Sequence, residues 1–479
     1  MTPTRTPAVA TPAYEPLSEA AAQQIIDTAF QLAREVGVAF DPDPAVLDRF
    51  SSAGCDISAG NVVKFERELV EACLASSARS VRLWNRAGTD YAEIRDGNTL
   101  FLPGMTNIRI FDLETGEPRE SDKADLAAMT RVADALPDVD AVCMAVKDVP
   151  NSTLQGEIGE FLVLAENTGK PLMYLCENGA AFDAAIEMAA AIRGGMDRLR
   201  EKPYFIQTIT PLPLYYAKTH SDQIIRAAEC GIPANTGTLS IGGAATPFTI
   251  AGSITHGLAT DFAGVVLAQL VREGAFCAGS SECEYMEPAT GGIGSRPRSI
   301  LSEMAMRQVK NRLGMPPFVS AAGGCAARRF DEDAVFDIVM GMTQAFYLRP
   351  CTIDYMGELD QGMTFSPHAL LLCNDLAAML RCLWQGIRVD ADQLALEVSR
   401  AVGPKGNYLA QSHTEQHCRE DYWDSRYFGP RLPLSNSMLP DRNLMQRIDA
   451  DLREILAVHE PEPLAEPLRA QLVAILEKY

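Results

Sequence analysis

The chain has 479 residues, of which 47% are hydrophobic and 22% charged, and its formal net charge is −21. This composition excludes intrinsic disorder, and so acidic a surface repels phosphate backbones and anionic lipids, which argues against nucleic-acid and membrane partners. The twelve cysteines never form a C-x-x-C pair, and the N-terminus has no apolar signal region. We therefore expect a globular protein with reduced thiols, located in the cytoplasm.

The first hundred residues predict a helical extension. Residues 1–17 are rich in Pro, Thr and Ala and predict a mobile arm. Ser18 is a suitable N-cap for a helix with apolar positions at helical spacing that stops at Gly37. Shorter helices near 44–50 and 66–74 and a strand near 81–83 complete a unit that we assign to residues 18–97.

Residues 98–385 alternate short β-branched runs with longer helical segments. Eight strands are predicted at 99–102, 140–145, 171–176, 204–208, 232–235, 275–278, 317–320 and 351–354. Helices are predicted near 123–135, 154–167, 180–192, 221–228, 256–271, 297–313, 331–347 and 368–384. Eight β/α units predict an α/β fold, the (β/α)8 TIM barrel. The alternative, a doubly wound sheet, lacks the G-x-G-x-x-G turn of its nucleotide-binding forms.

After residue 385 the chain again predicts helices, at 390–402, 444–458 and 466–478. We assign residues 386–479 to a C-terminal helical extension. Because active sites of such barrels lie at the carboxyl ends of the strands, the residues just after each strand are the candidates for chemistry. Polar side chains at these positions include Asn107, Glu177, Glu282, Tyr355 and Glu358.

The interval 230–260 contains 31 residues without one Asp, Glu, Lys or Arg. A loop that avoids charge for so long is expected to be covered. Its many Gly and Thr residues would let the backbone approach a ligand closely, although a buried loop with packing glycines explains the pattern too. Thr246 followed by Pro247 predicts a helix N-cap and first helical residue.

Two patterns raise the question of a metal. Cys277, Cys283, Cys325 and Cys351 fall near late strands, where three thiolates can hold a catalytic zinc, but free cysteines are more often core residues. His413 and His417 in HTEQH lie four residues apart, on one face of a helix. Because no third ligand is adjacent, packing or a subunit contact is the favoured explanation, and we assign no metal ligand.

Five segments together resemble the trimethylamine methyltransferase family, whose members pass methyl groups from methylated amines to a corrinoid protein. They are IRIFDLETGEPRESDKADLAAMTRVADALPDVDAV (108–142), GGAATPFTIAGSITHG (242–257), VVLAQLVREGAFCAG (265–279), MGELDQGMTFSPHALLLCND (356–375) and VGPKGNYLAQSHTEQH (402–417), the last followed by Trp423. The resemblance implies a cytoplasmic methyltransferase that binds no cofactor tightly itself and meets the corrinoid (cobalamin) on a cognate partner protein. We expect a homo-oligomer.

The resemblance also bears on the substrate. Founding members carry pyrrolysine, and its position would fall between Cys325 and Arg328, where this chain has ordinary residues. This implies the branch without pyrrolysine, which includes glycine betaine methyltransferases, and favours a quaternary amine over trimethylamine. That branch tends to read Tyr-His-Ala-Gly-Gly where residues 354–358 read Asp-Tyr-Met-Gly-Glu, which argues for a ligand less anionic than glycine betaine or of different size.

A methylated ammonium calls for aromatic faces and a nearby carboxylate. The substrate-binding residues expected are Tyr355, Glu358, Phe365, Glu177, Glu282 and Asn107, and the loops expected to face the corrinoid contain Gly242, Gly243, Thr246, Gly323, Gly324 and Cys325. Two alternatives remain: a non-catalytic regulatory barrel that binds a methylated amine, and zinc-dependent methyl transfer through the cysteines at the mouth.

Overall fold

The computed structural model describes residues 14–293, 296–316, 318, 324–420, 423–428 and 443–479. The N-terminal elements are α1 (Glu19–Glu35), β1 (Val38–Phe40), α2 (Pro44–Ser52), β2 (Val62–Val63), α3 (Arg67–Ser76), β3 (Val81–Trp84) and β4 (Tyr91–Ile94). Ser18 caps α1 as predicted, because its hydroxyl accepts a hydrogen bond from the Ala21 N–H at 3.2 Å.

The end of the predicted mobile arm is anchored. The Leu17 N–H donates to the Gln308 side chain at 3.1 Å, and the Gln308 amide donates back to the Leu17 carbonyl at 2.8 Å. Leu17 is therefore held by two hydrogen bonds, whereas residues 1–13 of the predicted arm lie outside the described residues.

The remaining strands are β5 (Leu100–Pro103), β6 (Arg109–Phe111), β7 (Pro118–Glu120), β8 (Val142–Cys143), β9 (Leu172–Leu175), β10 (Phe205–Ile209), β11 (Tyr215–Tyr216), β12 (Ala234–Thr236), β13 (Leu239–Gly242), β14 (Cys277–Gly279), β15 (Glu282–Tyr285), β16 (Thr352–Met356), β17 (Glu358–Leu359) and β18 (Thr364–Phe365). The barrel helices are α4 (Lys123–Ala135), α5 (Leu154–Asn167), α6 (Gly179–Arg193), α7 (Met196–Glu201), α8 (Lys218–Cys230), α9 (Ile250–Val271), α10 (Arg296–Arg312), α11 (Glu332–Leu348) and α12 (Pro367–Gln385).

The strands follow the order of a (β/α)8 barrel, as predicted. β8, β9, β10, β12 and β14 form one parallel sheet in chain order, and β16 pairs in parallel with β5. β5 lies beside β8. The Asp140 N–H donates to the Phe101 carbonyl at 2.8 Å, and the Thr106 N–H donates to the Met144 carbonyl at 2.6 Å. The predicted seventh strand, 317–320, lies outside the described residues except for Phe318.

A compact apolar core fills the barrel. Leu102, Cys143, Met173, Ile206 and Ala278 from five strands pack together, and Phe318 joins the same cluster. Leu83 and Ile94 of the β3–β4 hairpin belong to it as well. Because the interior of such a barrel is packed with side chains, its ligands bind at the loops at one end.

Within the described residues, α9 is the one helix long and apolar enough to cross a membrane, but 83% of its most apolar window is buried inside the protein. It packs against α1, where the Phe30 and Phe262 rings stack at 4.9 Å between centroids. α9 is thus accounted for as a core helix of this fold.

The C-terminal extension contains α13 (Ala391–Leu394), α14 (Leu396–Val402), α15 (Ser412–Glu420), α16 (Leu444–Val458) and α17 (Glu466–Lys478). The last two match their predictions. The single helix predicted over 390–402 is wrong: Ala395 adopts a φ of +50° and divides it into two short helices.

The uncharged interval 230–260 is not one loop. It passes through β12 and β13, makes a turn, and enters the first half of α9. The predicted N-cap at Thr246 is wrong, because α9 begins at Ile250 after Thr249. The Thr246 hydroxyl instead contacts the Ser253 hydroxyl at 2.9 Å, which leaves it buried in the turn.

Candidate functional site

A buried carboxylate lies at the carboxyl ends of the first and last barrel strands. Glu358 is 6% exposed, and its Oε1 accepts hydrogen bonds from the Met105 N–H at 2.8 Å and the Asn107 amide at 3.2 Å. Burial, with a smaller contribution from nearby Asp354, raises the pKa of Glu358 to about 8. Such a group holds a proton near neutral pH until a cation approaches.

Gly104 makes room for this carboxylate. A Cβ atom at Gly104 would lie 2.3 Å from Glu358 Cγ, closer than van der Waals contact allows. Asn107 has no exposed surface, and its amide also donates to the Gly362 carbonyl at 2.5 Å. Among the described residues its Oδ1 finds no hydrogen-bond partner, which is unusual for a buried polar atom.

A second pair of predicted residues meets beside Glu358. The Tyr355 hydroxyl donates to the Glu282 carboxylate, at 2.9 Å to Oε2 and 3.1 Å to Oε1. Burial, followed by the charge of Glu282, holds the pKa of Tyr355 well above its usual range. A Cβ at Gly324 would lie 3.2 Å from Tyr355 Cβ and 3.4 Å from Glu358 Cβ, so one glycine contacts both predicted residues.

The backbone around these carboxylates is strained. Thr106, Asp360 and Gln361 all adopt positive φ angles, of 59°, 52° and 58°. A left-handed conformation is costly for a residue with a side chain, most of all for a β-branched one. Strain of this kind persists where the surrounding contacts hold it, and it concentrates at functional sites.

A row of hydrogen-bonded polar side chains crosses the middle strands at the same end. The Thr208 hydroxyl donates to Asn235 Oδ1 at 3.0 Å, and the Asn235 amide donates to the Ser280 hydroxyl at 3.1 Å. Glu282 follows two residues after Ser280, in β15. The row therefore ends next to the Tyr355–Glu282 pair.

Two other predicted substrate residues have different surroundings. Phe365 has no exposed surface, and its ring lies where a Cβ at Gly357 would be, 2.7 Å away. It is a core residue that supports β17, because β18 turns its side chain inward. Glu177 is exposed, and the residue that organises its loop is Glu157, whose carboxylate accepts from the Glu177 N–H at 2.6 Å.

The predicted corrinoid-facing loops divide in the same way. Gly242 and Thr246 are buried, and a Cβ at Gly242 would lie 2.5 Å from the Tyr285 ring. Gly242 thus packs against Tyr285, whereas Gly243, Ala244 and Ala245 are exposed in the turn. Cys325 is buried and donates its N–H to the Glu358 carbonyl at 3.1 Å. Gly323 lies outside the described residues.

The cysteines do not form a metal site in the described part of the chain. The one group there of three or more converging His, Cys, Asp or Glu side chains is Asp392, His413 and His417. Cys277, Cys283, Cys325 and Cys351 are all buried, and burial raises the pKa of Cys277 and of Cys351 to about 12. Nothing in this arrangement supports the zinc alternative.

Sequence reasoning missed Lys310 and Asp261, which form an ion pair with no exposed surface beneath this end of the barrel. A lysine on a helix is normally solvated, so no pattern in the sequence marks it. The left-handed backbone of Thr106 has no signal in the sequence either.

This chain resembles known methyltransferases along nearly its whole length. The family model described as trimethylamine methyltransferase (MTTB) matches residues 1–478. Trimethylamine methyltransferase MttB of Desulfitobacterium hafniense is 29% identical over 452 residues, covering 90% of this chain and 87% of that protein. Glycine betaine methyltransferase of the same species is 26% identical over 479 residues, covering 97% of each. The monomethylamine methyltransferase structure of Methanosarcina barkeri has a TM-score of 0.46 at 11% identity, covering 92% of this chain and 93% of that one.

The same chain thus has a barrel with clustered carboxylates at the carboxyl ends of its strands and a sequence similar to methyltransferases. The chain belongs to the trimethylamine methyltransferase family. The predictions of this family, of a methyltransferase and of methylated amines as the substrate class are confirmed at the level of the family.

Proposed function

We propose that this enzyme moves a methyl group from a quaternary ammonium compound without a carboxylate to the corrinoid of a separate protein. The observation that carries the proposal is Glu358, a buried carboxylate whose hydrogen-bond partners among the described residues are a backbone N–H and the Asn107 amide. Neither partner carries a charge, so the negative charge of ionised Glu358 is available to a cation.

The chemistry suits a nitrogen that is already positive. The corrinoid on the partner protein would supply a reduced cobalt nucleophile. As the methyl group passes to it, the carbon–nitrogen bond would break and its electron pair would stay on nitrogen. The product is a neutral tertiary amine, so the leaving group needs no proton and no acid catalyst. Positioning and exclusion of water are then the main tasks of the barrel end.

Loss of charge on nitrogen also favours release. Ionised Glu358 attracts the cationic substrate, but not the neutral product. Because burial raises its pKa to about 8, Glu358 regains a proton from solvent near neutral pH once the product has left the site.

The same carboxylates disfavour a substrate that carries a carboxylate of its own. In glycine betaine a carboxylate lies a few ångströms from the nitrogen, so it would approach Glu358 or Glu282 when the nitrogen is bound. Two like charges about 4 Å apart repel by about 4 kcal/mol at an effective dielectric constant of 20. A quaternary ammonium with a neutral substituent avoids this cost, and choline and tetramethylammonium are simple representatives.

The turn after β13 is the proposed docking surface for the corrinoid protein. Gly243, Ala244, Ala245 and Phe248 are exposed there, within the interval that has no Asp, Glu, Lys or Arg. β13 pairs with β15 so that Leu239 lies opposite Glu282, which links this turn to the carboxylate group. Small uncharged residues let a flat macrocycle approach without desolvating a charge.

The test measures methyl transfer to reduced corrinoid from choline, tetramethylammonium, trimethylamine and glycine betaine. The change in corrinoid absorption reports the transfer. We expect turnover with a carboxylate-free quaternary amine and loss of at least tenfold in kcat/KM in Glu358→Gln. Productive, tight use of glycine betaine would contradict the assigned substrate class. Binding of a quaternary amine by calorimetry without turnover by any corrinoid partner would favour the regulatory alternative.

Tyr355→Phe separates the roles of the two carboxylates. It removes the hydroxyl that holds Glu282 and leaves the ring in place, so substrate KM should rise severalfold with a smaller change in kcat. Phe365→Leu is the matched control, because Phe365 has no exposed surface and should alter stability more than KM.

A further inference from the structure

Three metal-ligating side chains converge in the C-terminal extension. His413 and His417 lie on one face of α15, with ring centroids 4.2 Å apart. Asp392 of α13 faces both of them: its Oδ2 is 3.1 Å from His417 Nε2, and its Oδ1 is 4.0 Å from His413 Nε2. One ligand atom from each residue lies within 4.8 Å of the other two.

These separations fit a small divalent ion. Zinc binds His nitrogen and carboxylate oxygen at about 2.0–2.2 Å in tetrahedral geometry, which places neighbouring ligand atoms about 3.3 Å apart. The observed 3.1 and 4.0 Å lie on either side of that value. His413 Nε2 lies 3.0 Å from the Asp392 carbonyl oxygen, so the His413 ring must turn from this contact toward the carboxylate to complete three protein ligands, with a fourth position open to water.

The neighbouring side chains suit the required state of the histidine. The Gln393 amide lies 3.2 Å from His417 Nδ1. With the amide oxygen turned toward the ring, it accepts from Nδ1–H, which fixes the tautomer that presents the Nε2 lone pair. Arg388, whose Nη2 is 3.8 Å from Asp392, keeps Asp390 as a carboxylate partner at 3.0 Å when Asp392 binds an ion.

The segment around the cluster buries little of its own surface. α13 and α14 contain no buried residue, and Ile387, Val389, Leu394 and Leu409 are 67–86% exposed. A metal ion that joins α13 to α15 would limit the freedom of this segment, as structural metals do in small units without a sufficient core. We propose that Asp392, His413 and His417 bind one Zn²⁺ ion that fastens α13 and α14 to α15.

The experiment measures zinc in untagged protein that has been stripped with chelator, reloaded with Zn²⁺ and freed of excess metal. We expect about one zinc per chain by mass spectrometry, and less than a fifth of that in His417→Ala and in His413→Ala. Co²⁺ in place of Zn²⁺ should give visible d–d absorption in the parent protein and not in either variant.

Two variants distinguish this site from incidental binding. Cys418 is exposed and adjacent to His417, and His368 is paired with Asp449 elsewhere; Cys418→Ser and His368→Ala should both keep one zinc. Zinc should also slow proteolysis within 386–411 of the parent protein at least fivefold. Failure of the stripped parent protein to take up zinc, or equal uptake by the histidine variants, would overturn the proposal and would show that the histidines only hydrogen-bond Asp392.

Discussion

Lys310 and Asp261 form an ion pair in which neither side chain has exposed surface, with Nζ 3.2 Å from Oδ2. Lys310 also donates to the carbonyls of Gly279, at 2.9 Å, and Phe318, at 3.1 Å. Asp261 accepts from the Ser281 N–H at 3.1 Å and from its hydroxyl at 2.5 Å. The pair therefore joins α9 and α10 to the end of the sixth barrel strand, directly before Glu282.

Removing one member of this pair should lower the free energy of unfolding far more than removing both. Lys310→Met leaves Asp261 buried without its cation, and we expect the free energy of unfolding to fall by about 3–5 kcal/mol. The double variant Lys310→Met with Asp261→Leu should recover much of this loss. Denaturant unfolding of both proteins measures the difference.

The control is the exposed pair Arg226–Asp183, with both side chains at least 40% exposed. Arg226→Met should change stability by less than about 1 kcal/mol. An equally small effect in Lys310→Met would contradict the role assigned to the buried pair.

Affinity for a quaternary ammonium should depend on pH through Glu358. Its pKa in the unliganded protein is about 8 instead of the ordinary 4.5, and a bound cation favours the ionised form. The dissociation constant of tetramethylammonium should therefore fall about tenfold per pH unit up to about pH 8 and then level. Calorimetry in two buffers of different ionisation enthalpy should detect proton release on binding below pH 8.

Glu358→Gln should bind tetramethylammonium weakly and lose this pH dependence of affinity.

The pH dependence of folding stability tests the same raised pKa independently. Because the pKa of Glu358 is higher in the folded state, that state holds the proton more tightly than the unfolded state. The contribution of Glu358 to stability is therefore complete below about pH 4.5 and is lost as the pH rises through about 8. The parent protein should show this loss, and the variant should not.

The barrel itself was predictable because its signal is local. Alternating β-branched runs and helical periods lie within single segments, and α4, α5, α16 and α17 begin and end where the sequence predicts. Contacts between distant segments could not be predicted from such local patterns. The Tyr355–Glu282 hydrogen bond joins residues 73 positions apart, and Asp392 meets His417 across 25 positions. Each needs the completed fold.

The different surroundings of the predicted site residues have a common physical origin. Position after a strand predicts which residues are near the barrel end, but not which way a side chain points. Phe365 lies opposite Glu358 in the β17–β18 pairing but has no exposed surface, whereas Glu177 is exposed. Gly242, predicted to face the corrinoid, lies against the Tyr285 ring.

Native thiols should react slowly except at two positions. Cys418 is exposed and Cys382 partly exposed, whereas the other ten cysteines are buried. The thiolate is the reactive form, and burial raises the pKa of Cys277 and of Cys373 to about 12. A disulfide reagent at pH 7.5 should modify at most two thiols rapidly, and Cys418→Ser should remove one. Rapid modification of three or more would mean that a buried cysteine opens readily.

The strained backbone at Thr106 should trade stability against activity. Its φ of 59° is unfavourable for a β-branched residue, so Thr106→Gly should relieve strain of about 1–2 kcal/mol, partly offset by the greater freedom of glycine when unfolded. The neighbouring Asn107 would be held less firmly against Glu358, and kcat/KM should fall. Lys405→Gly is the matched control, because Lys405 has a φ of 70° in an exposed loop of the C-terminal extension. It should gain comparable stability at unchanged kcat/KM, and equal activity in both variants would mean that the strain at Thr106 has no part in positioning Asn107.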